Sequence, residues 1–315
     1  MINDSIPEWT LKTPKDVRKG ALWDLKAAYK AAFTNLKQGN IQHFNVGFRR
    51  KKSFPSIDIP STALVYTEDH NLRLFPRFDL GEISIARRQR KKDLVTLERD
   101  CRLSYKNDCW YLYVPYTAKP KMVTPVHPVC ALDPGGRTFQ TLYSPDHTVK
   151  FQHNRELHKR LRERLDFLQS LRAKKWVRSN SYRRRRNRIY RRMGWAVDAL
   201  HYSTIEPLKS YQQILLPVFE SQEMVRGKRL QSDSTRELMS LQHFRFKQRL
   251  QACLQLQPQS NVQIVTEEFT SQTCGRCGSL NTPAGSWYRC SSCSLGIDRD
   301  FNGARNILLK HLVSV

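Results

Sequence analysis

Apolar positions change their period several times along this chain, and each change predicts an element. Val17, Leu22, Leu25, Ala28, Ala32 and Leu36 fall at helical spacing and predict a helix over residues 13–37. Short runs of apolar and β-branched residues at 43–48, 56–59, 72–75, 94–97 and 110–115, separated by charged turns, read as strands. Trp110, Tyr111 and Tyr113 have the chemistry to stack on bases, but alternation along a strand assigns them to a sheet face. Residues 117–127, with Pro120, Pro125, Lys119 and Lys121, read as a linker. Beyond it, the unbroken run Val129-Cys-Ala-Leu132 predicts a buried strand, and Phe139-Gln-Thr-Leu-Tyr143 its antiparallel return. Leu157, Leu161, Leu165, Leu168 and Leu171, at intervals of four and three, predict an amphipathic helix. A second helix runs through the arginines near 183 into the apolar residues after Gly194. The mixture is that of an α/β chain whose length allows about two domains and a small insert.

Charge adds a partner to this picture. The chain carries 54 Lys and Arg against 28 Asp and Glu, a net charge of +26 over 315 residues, and such a surface needs a polyanion. Residues 154–193 hold sixteen Lys/Arg and three Asp/Glu, a local excess of 13. Arg183, Arg184, Arg185, Arg186, Arg188, Arg191 and Arg192 are the candidate phosphate contacts, and residues 87–92 form a second basic patch. Membrane binding fits less well, because no stretch reaches the roughly 18 apolar residues that span a bilayer. Charge alone does not separate DNA from RNA, nor does the arginine run separate a phosphate-binding helix from a nuclear localisation signal.

Cysteine spacing adds a metal. Cys274-Gly-Arg-Cys277 and Cys290-Ser-Ser-Cys293, twelve residues apart, offer four thiolates in two knuckles, the pattern of a structural zinc site with no open coordination position. Two disulfides or buried free cysteines are the alternatives; glycine at 275 and 278 and an N-terminus without a secretory signal weigh against both. Cys101, Cys109, Cys130 and Cys253 lack ligand spacing and fit a reducing, intracellular setting, nuclear if the host is eukaryotic.

Two acids complete the pattern. Asp133 ends the first buried strand in Asp133-Pro-Gly-Gly136, a motif that alone is no more than a turn. Asp300 opens a late helix, and these two positions converge in ribonuclease-H-like folds, where carboxylates hold two divalent ions at a phosphodiester.

Asp133-Pro-Gly-Gly-Arg-Thr-Phe139, Glu267-Glu-Phe-Thr-Ser-Gln-Thr-Cys-Gly-Arg-Cys-Gly278 and Asp298-Arg-Asp-Phe-Asn-Gly-Ala-Arg-Asn-Ile307 resemble the RuvC-like nuclease and zinc ribbon of the TnpB/Fanzor family. These transposon-associated, OrfB-type proteins are implicated in RNA-guided DNA cleavage. The resemblance is strong over 129–309 and weaker before it, at 13–18 and 44–52. It implies a mainly β wedge-like domain with an N-terminal helix at 1–125, an RNase H-like (RuvC) domain at 126–272 and 295–315, and a zinc ribbon inserted at 273–294.

The resemblance makes Asp133 and Asp300 ligands of two catalytic magnesium ions, with Asp298 either a neighbouring acid or a turn former. The family's usual third acid would fall at Pro217. Some members supply it from the next strand, where Glu267 fits; Glu268 and Glu220 are the alternatives. Asp198 and His201 also match a family helix pattern and read as a satisfied surface pair. The implied function is a magnesium-dependent DNA endonuclease with a structured guide RNA, and no oligomeric state is implied. Members commonly carry more strands and recognition helices before the segment that begins here near Ile6, so a chain shortened at its N-terminus is expected. The alternatives are a zinc protein that binds nucleic acid without cleaving it and, more weakly, a DDE-type transposase sharing the acidic triad.

Overall fold

The computed structural model describes residues 7–47, 56–67, 71–84, 99–115, 117–120, 123–219, 221–226, 231–282 and 285–313. They form a mixed α/β protein of two compact units, Met1–Thr117 and Ala118–Val315.

The first unit opens with helices α1 (Glu8–Leu11) and α2 (Lys15–Lys37), followed by strands β1 (Ser56–Ile59), β2 (Leu64–Tyr66), β3 (Asn71–Leu74), β4 (Glu82–Ser84), β5 (Cys101–Lys106) and β6 (Cys109–Tyr113). Two antiparallel sheets, β1-β5-β6 and β2-β3-β4, share a core of Ile59, Leu64, Leu72, Leu74, Phe75 and Leu103. Asn107 and Asp108 both have positive φ, as the tight β5–β6 turn requires. The strand expected at 43–48 does not form over its described part, 43–47. Phe44 instead presents its ring edge-on to Phe33 of α2 at 5.0 Å, so burial against a helix replaces pairing in a sheet. Trp110 and Tyr113 are more than half exposed on β6. The strand expected at 94–97, the basic patch at 87–92 and Glu220 lie outside the described residues.

The second unit runs β7 (His127–Pro134), β8 (Gln140–Tyr143), β9 (Thr148–Phe151), α3 (Arg155–Ala173), α4 (Ser179–Leu208), β10 (Tyr211–Pro217), α5 (Ser221–Arg226), α6 (Ser232–Ser240), α7 (His243–Leu254), β11 (Asn261–Val265), β12 (Trp287–Arg289), β13 (Gly296–Asp298) and α8 (Arg299–Val313). Its main sheet has the order β11-β10-β7-β8-β9. The first three strands in that order are parallel, and β7, β8 and β9 follow one another as antiparallel hairpins.

Helices cover both faces, which explains the unbroken apolar runs in β7 and β10. Cys130, Leu132, Ile214 and Leu216 pack with Leu200, Leu208, Phe246 and Leu250 on one face. On the other, Ala131 and Leu215 meet Ile307 and Leu308 of α8. The stripe predicted for α3 is buried at Leu161, Leu165 and Leu168, and Asn154 caps the helix by accepting the Leu157 N–H at 2.9 Å.

His201 is not on the surface, as the sequence suggested, but fully buried. Its ring stacks on Phe139, and Arg249 joins it to Asp198, donating to Asp198 at 2.7 Å and to His201 Nδ1 at 3.1 Å. A guanidinium only donates, so Nδ1 is the acceptor and Nε2 carries the proton given to the Leu241 carbonyl at 2.9 Å. Burial holds its pKa down at about 4.

Candidate functional site

Parallel sheets place their sites beyond the carboxyl ends of the strands. Asp133 sits at that end of β7. Buried Pro217 ends the neighbouring β10, and Glu267 follows the end of β11 by two residues. Asp133, Glu267 and Asp300 line one cleft of about 660 Å³ together with Arg137, Lys150 and Arg299. Glu268 is exposed and does not line it. The ligand atoms of the three acids are not all within 4.8 Å of one another, as those of the four knuckle cysteines are.

At Asp133 burial and neighbouring acids outweigh the cations that line the cleft. Burial, followed by the nearby carboxylates of Glu267 and Asp300, pushes the Asp133 pKa up to about 7, against the opposing pull of Arg299 and Lys150. Burial also raises Glu267. Grouped, partly desolvated oxygen ligands of this kind suit a hard divalent ion.

Asp300 is held by hydrogen bonds from Thr138 Oγ1 at 2.9 Å and Lys150 Nζ at 3.0 Å, both to Oδ2. Asp298 does shape the turn: its Oδ1 accepts the N–H groups of Asp300 at 3.0 Å and Phe301 at 3.3 Å, capping α8.

Close packing places Asp133. A Cβ on Gly303 of α8 would lie 2.6 Å from Asp133 Oδ2, so any larger residue there must push the carboxylate aside. Gly303→Ala is therefore expected to lower the melting temperature, overpacking by about 1–3 kcal/mol against the roughly 1 kcal/mol that Ala gains in a helix interior. The deficit should shrink when Asp133→Ala is added; an unchanged deficit in that thermal double-mutant cycle would locate the strain elsewhere.

The cysteine knuckles form a second site beside the first. Cys274 and Cys293 sulfurs are 3.6 Å apart and those of Cys277 and Cys290 3.5 Å, far beyond a disulfide bond. They are near the spacing of about 3.8 Å for a tetrahedral ion with bonds of about 2.3 Å, so the four thiols fit zinc. Each knuckle closes with an N–H returned to its first cysteine's carbonyl, from Gly278 at 3.0 Å and Ser294 at 3.1 Å, both residues having positive φ. Tyr288, from the β12–β13 hairpin, fills the small core beneath.

Two asparagines to which the sequence alone assigns no role tie the knuckles to α8. Asn302 accepts the Gly275 N–H at 3.1 Å and donates to the Thr273 carbonyl at 2.8 Å. Asn306, one turn on, donates to the carbonyls of Thr270 at 2.8 Å and Thr273 at 2.6 Å. Their spacing of four on an otherwise apolar helix face was the available signal. Lys150, between Val149 and Phe151 on a strand, gave none.

The arginine run lies on α4. Arg183, Arg184, Arg185, Arg188 and Arg192 are exposed; Arg186 and Arg191 are half-buried, the Arg186 guanidinium lying within 6 Å of the Tyr182 and Tyr190 ring centroids. Among the described residues no helix is long and apolar enough to cross a membrane.

Residues 243–307, which contain α7, the knuckles and the start of α8, match the family model described as Cas12f1-like, TNB domain. The chain is 30% identical to "Putative transposase A625R" of Paramecium bursaria Chlorella virus 1, over 96% of this chain and 71% of that protein. It is 24% identical to "TnpB-like protein L770" of Acanthamoeba polyphaga mimivirus, over 89% of this chain and 54% of that protein. It is 25% identical to "Putative RNA-guided DNA endonuclease InsQ" of Escherichia coli K12, over 97% of this chain and 77% of that protein. The chain thus spans about half of the mimivirus relative and more than two thirds of the other two. Identity sustained over this much of A625R, together with the family model on the cysteine knuckles, shows that the chain belongs to the TnpB-type family of transposase-like proteins.

Proposed function

We propose that the chain is a metal-dependent, RNA-guided DNA endonuclease with an RNase H-like (RuvC) nuclease core and a zinc ribbon inserted at 273–294. The single observation that carries the nuclease reading is Asp133, a half-buried carboxylate placed at a strand end in one cleft with Glu267 and Asp300. The relative named as an RNA-guided DNA endonuclease supports guidance and a DNA substrate.

In this reading Asp133, Glu267 and Asp300 hold two magnesium ions, and the cysteines hold zinc. The magnesium ions supply activation of water and stabilisation of the departing oxygen at a phosphodiester. The protein supplies position and charge. Thr138 orients Asp300, Gly303 lets α8 close on Asp133, and Arg137 and Arg299 offer cations to phosphate within the cleft. The zinc knuckles, clamped by Asn302 and Asn306, fix the start of α8 and with it Asp300. The exposed arginines of α4 hold the nucleic-acid backbone, and pairing with a structured guide RNA supplies sequence specificity. Residues 1–125 serve as the wedge-like nucleic-acid-binding part.

The test is cleavage of target DNA by chain co-purified with its RNA. Cleavage requires magnesium and is lost in Asp133→Ala and Asp300→Ala while binding remains; equal cleavage by all three proteins exposes a contaminant. Glu267→Ala is expected to match Asp133→Ala, whereas retained activity transfers the role to Glu268 or Glu220. One observation favours a second reading, a zinc protein that binds without cutting: Asp300 is already paired with Lys150. Under that reading, magnesium changes nothing.

Replacing Arg184, Arg185, Arg188 and Arg192 by Ala is expected to weaken binding to all sequences alike. The slope of log affinity against log salt should fall by about 0.7–0.9 for each phosphate that is no longer neutralised, which a titration at several salt concentrations measures.

A further inference from the structure

Lys150 reaches the cleft from β9, the edge strand of the main sheet. Its Nζ lies 2.7 Å from Asp298 Oδ1 and 3.0 Å from Asp300 Oδ2, with its side chain only 22% exposed. The Phe301 ring is 5.0 Å away on the same helix turn. An ammonium has three donors and no acceptor, and here at least two of the three point at carboxylates. The cleft therefore carries a counter-cation of its own. It sits on an oxygen of Asp300, the acid that the proposed function gives to magnesium.

An ammonium and a divalent ion cannot share one carboxylate oxygen at bonding distance without strong repulsion in a partly desolvated cleft. We propose that Lys150 is a built-in competitor for the divalent ion: it ties Asp298 to Oδ2 of Asp300, must leave that oxygen before an ion takes it, and thereby lowers the metal affinity of the cleft. The inference rests on Asp300 being a metal ligand. Asp298 keeps its backbone bonds to the start of α8 throughout, so a departing Lys150 need not disturb the helix cap. Once released from Asp300, the ammonium keeps Asp298 and offers its freed donor to a phosphate group in the cleft. Nucleic acid in the cleft should therefore ease metal loading, and metal should tighten nucleic-acid binding by the same factor.

Manganese binding to the zinc-loaded full chain, without nucleic acid and followed by electron paramagnetic resonance, tests this without reference to activity. Lys150→Met is expected to bind manganese at least about tenfold more tightly than wild type, since a full unit charge leaves the site. Lys150→Arg, which keeps the charge, is expected to gain nothing. In EDTA, Lys150→Met should melt below wild type and recover with manganese. Lys150→Gln removes the charge while keeping polarity, and carries the same expectation should the Met variant fail to fold. If Asp300→Asn binds manganese as wild type does, the ligand assignment itself fails. If Asp300→Asn loses the ion and neither neutral variant of Lys150 binds it more tightly, the assignment stands and the competitor role is overturned.

Discussion

Asp133→Asn is expected to abolish magnesium-dependent cleavage, by on the order of 10³-fold or more, and yet to make the metal-free protein more stable at pH 8. Burial beside two other acids raises the folded-state pKa of Asp133 from 3.8 to about 7. The folded protein thus binds a proton that the unfolded chain has already released between about pH 4 and 7, and stability falls as pH rises through that window. A rise of this size corresponds to an upper bound of about 4 kcal/mol, all of it lost by about pH 8. An amide of the same shape does not ionise, so the variant's melting temperature in EDTA should vary less over pH 5–8 than that of wild type. At pH 8 it should stand above wild type by on the order of 5 °C. Equal melting temperatures at pH 8 would mean that Asp133 is not strained by ionisation, and the case for a cation at that position would weaken with it.

Removal of zinc is expected to damage both the fold around the knuckles and cleavage. Structural zinc contributes about 10–16 kcal/mol in small zinc domains, and the apolar core here is little more than Tyr288, Leu295 and Ile297 around the sulfurs. Without the ion the segment from Cys274 to Cys293 should unfold, releasing Gly275 and Thr273 from Asn302 and Asn306. The β13 strand leads directly into the Asp298 cap of α8, so Asp300 loses its position as well. Cys290→Ser should therefore lose one zinc per chain by elemental analysis, become open to proteolysis between the knuckles, and lose cleavage by at least about 10²-fold through misplacement of Asp300. Binding through α4 should stay close to wild type. Full cleavage by a zinc-free variant would sever the knuckles from the catalytic centre.

The parts of this molecule that were legible in its sequence are those with a local cause. The α3 stripe, the buried β7 run ending at Asp133 and the paired knuckles each follow from spacing within a few residues. The strand expected at 43–48 fails over 43–47 because period alone cannot see that Phe44 has a ring partner on α2. His201 was misplaced because Arg249, 48 residues later, decides its environment. Lys150 was invisible for the same reason: its partners are 148 and 150 residues away. Gly303 stands within the Asp298–Ile307 motif, but the close approach that favours it exists only once β7 and α8 are side by side.

That juxtaposition also orders events during synthesis. Thr138 waits 162 residues for Asp300, and the α8 helix that brings it packs against the middle of a sheet whose strands were all made earlier. Contacts separated by this much chain form late and slowly. On the ribosome, the basic helices α3 and α4 are made while the cleft still lacks the wall that α8 supplies. Under the proposed function, a growing chain holds nucleic acid before it has the Asp300 that cleavage requires.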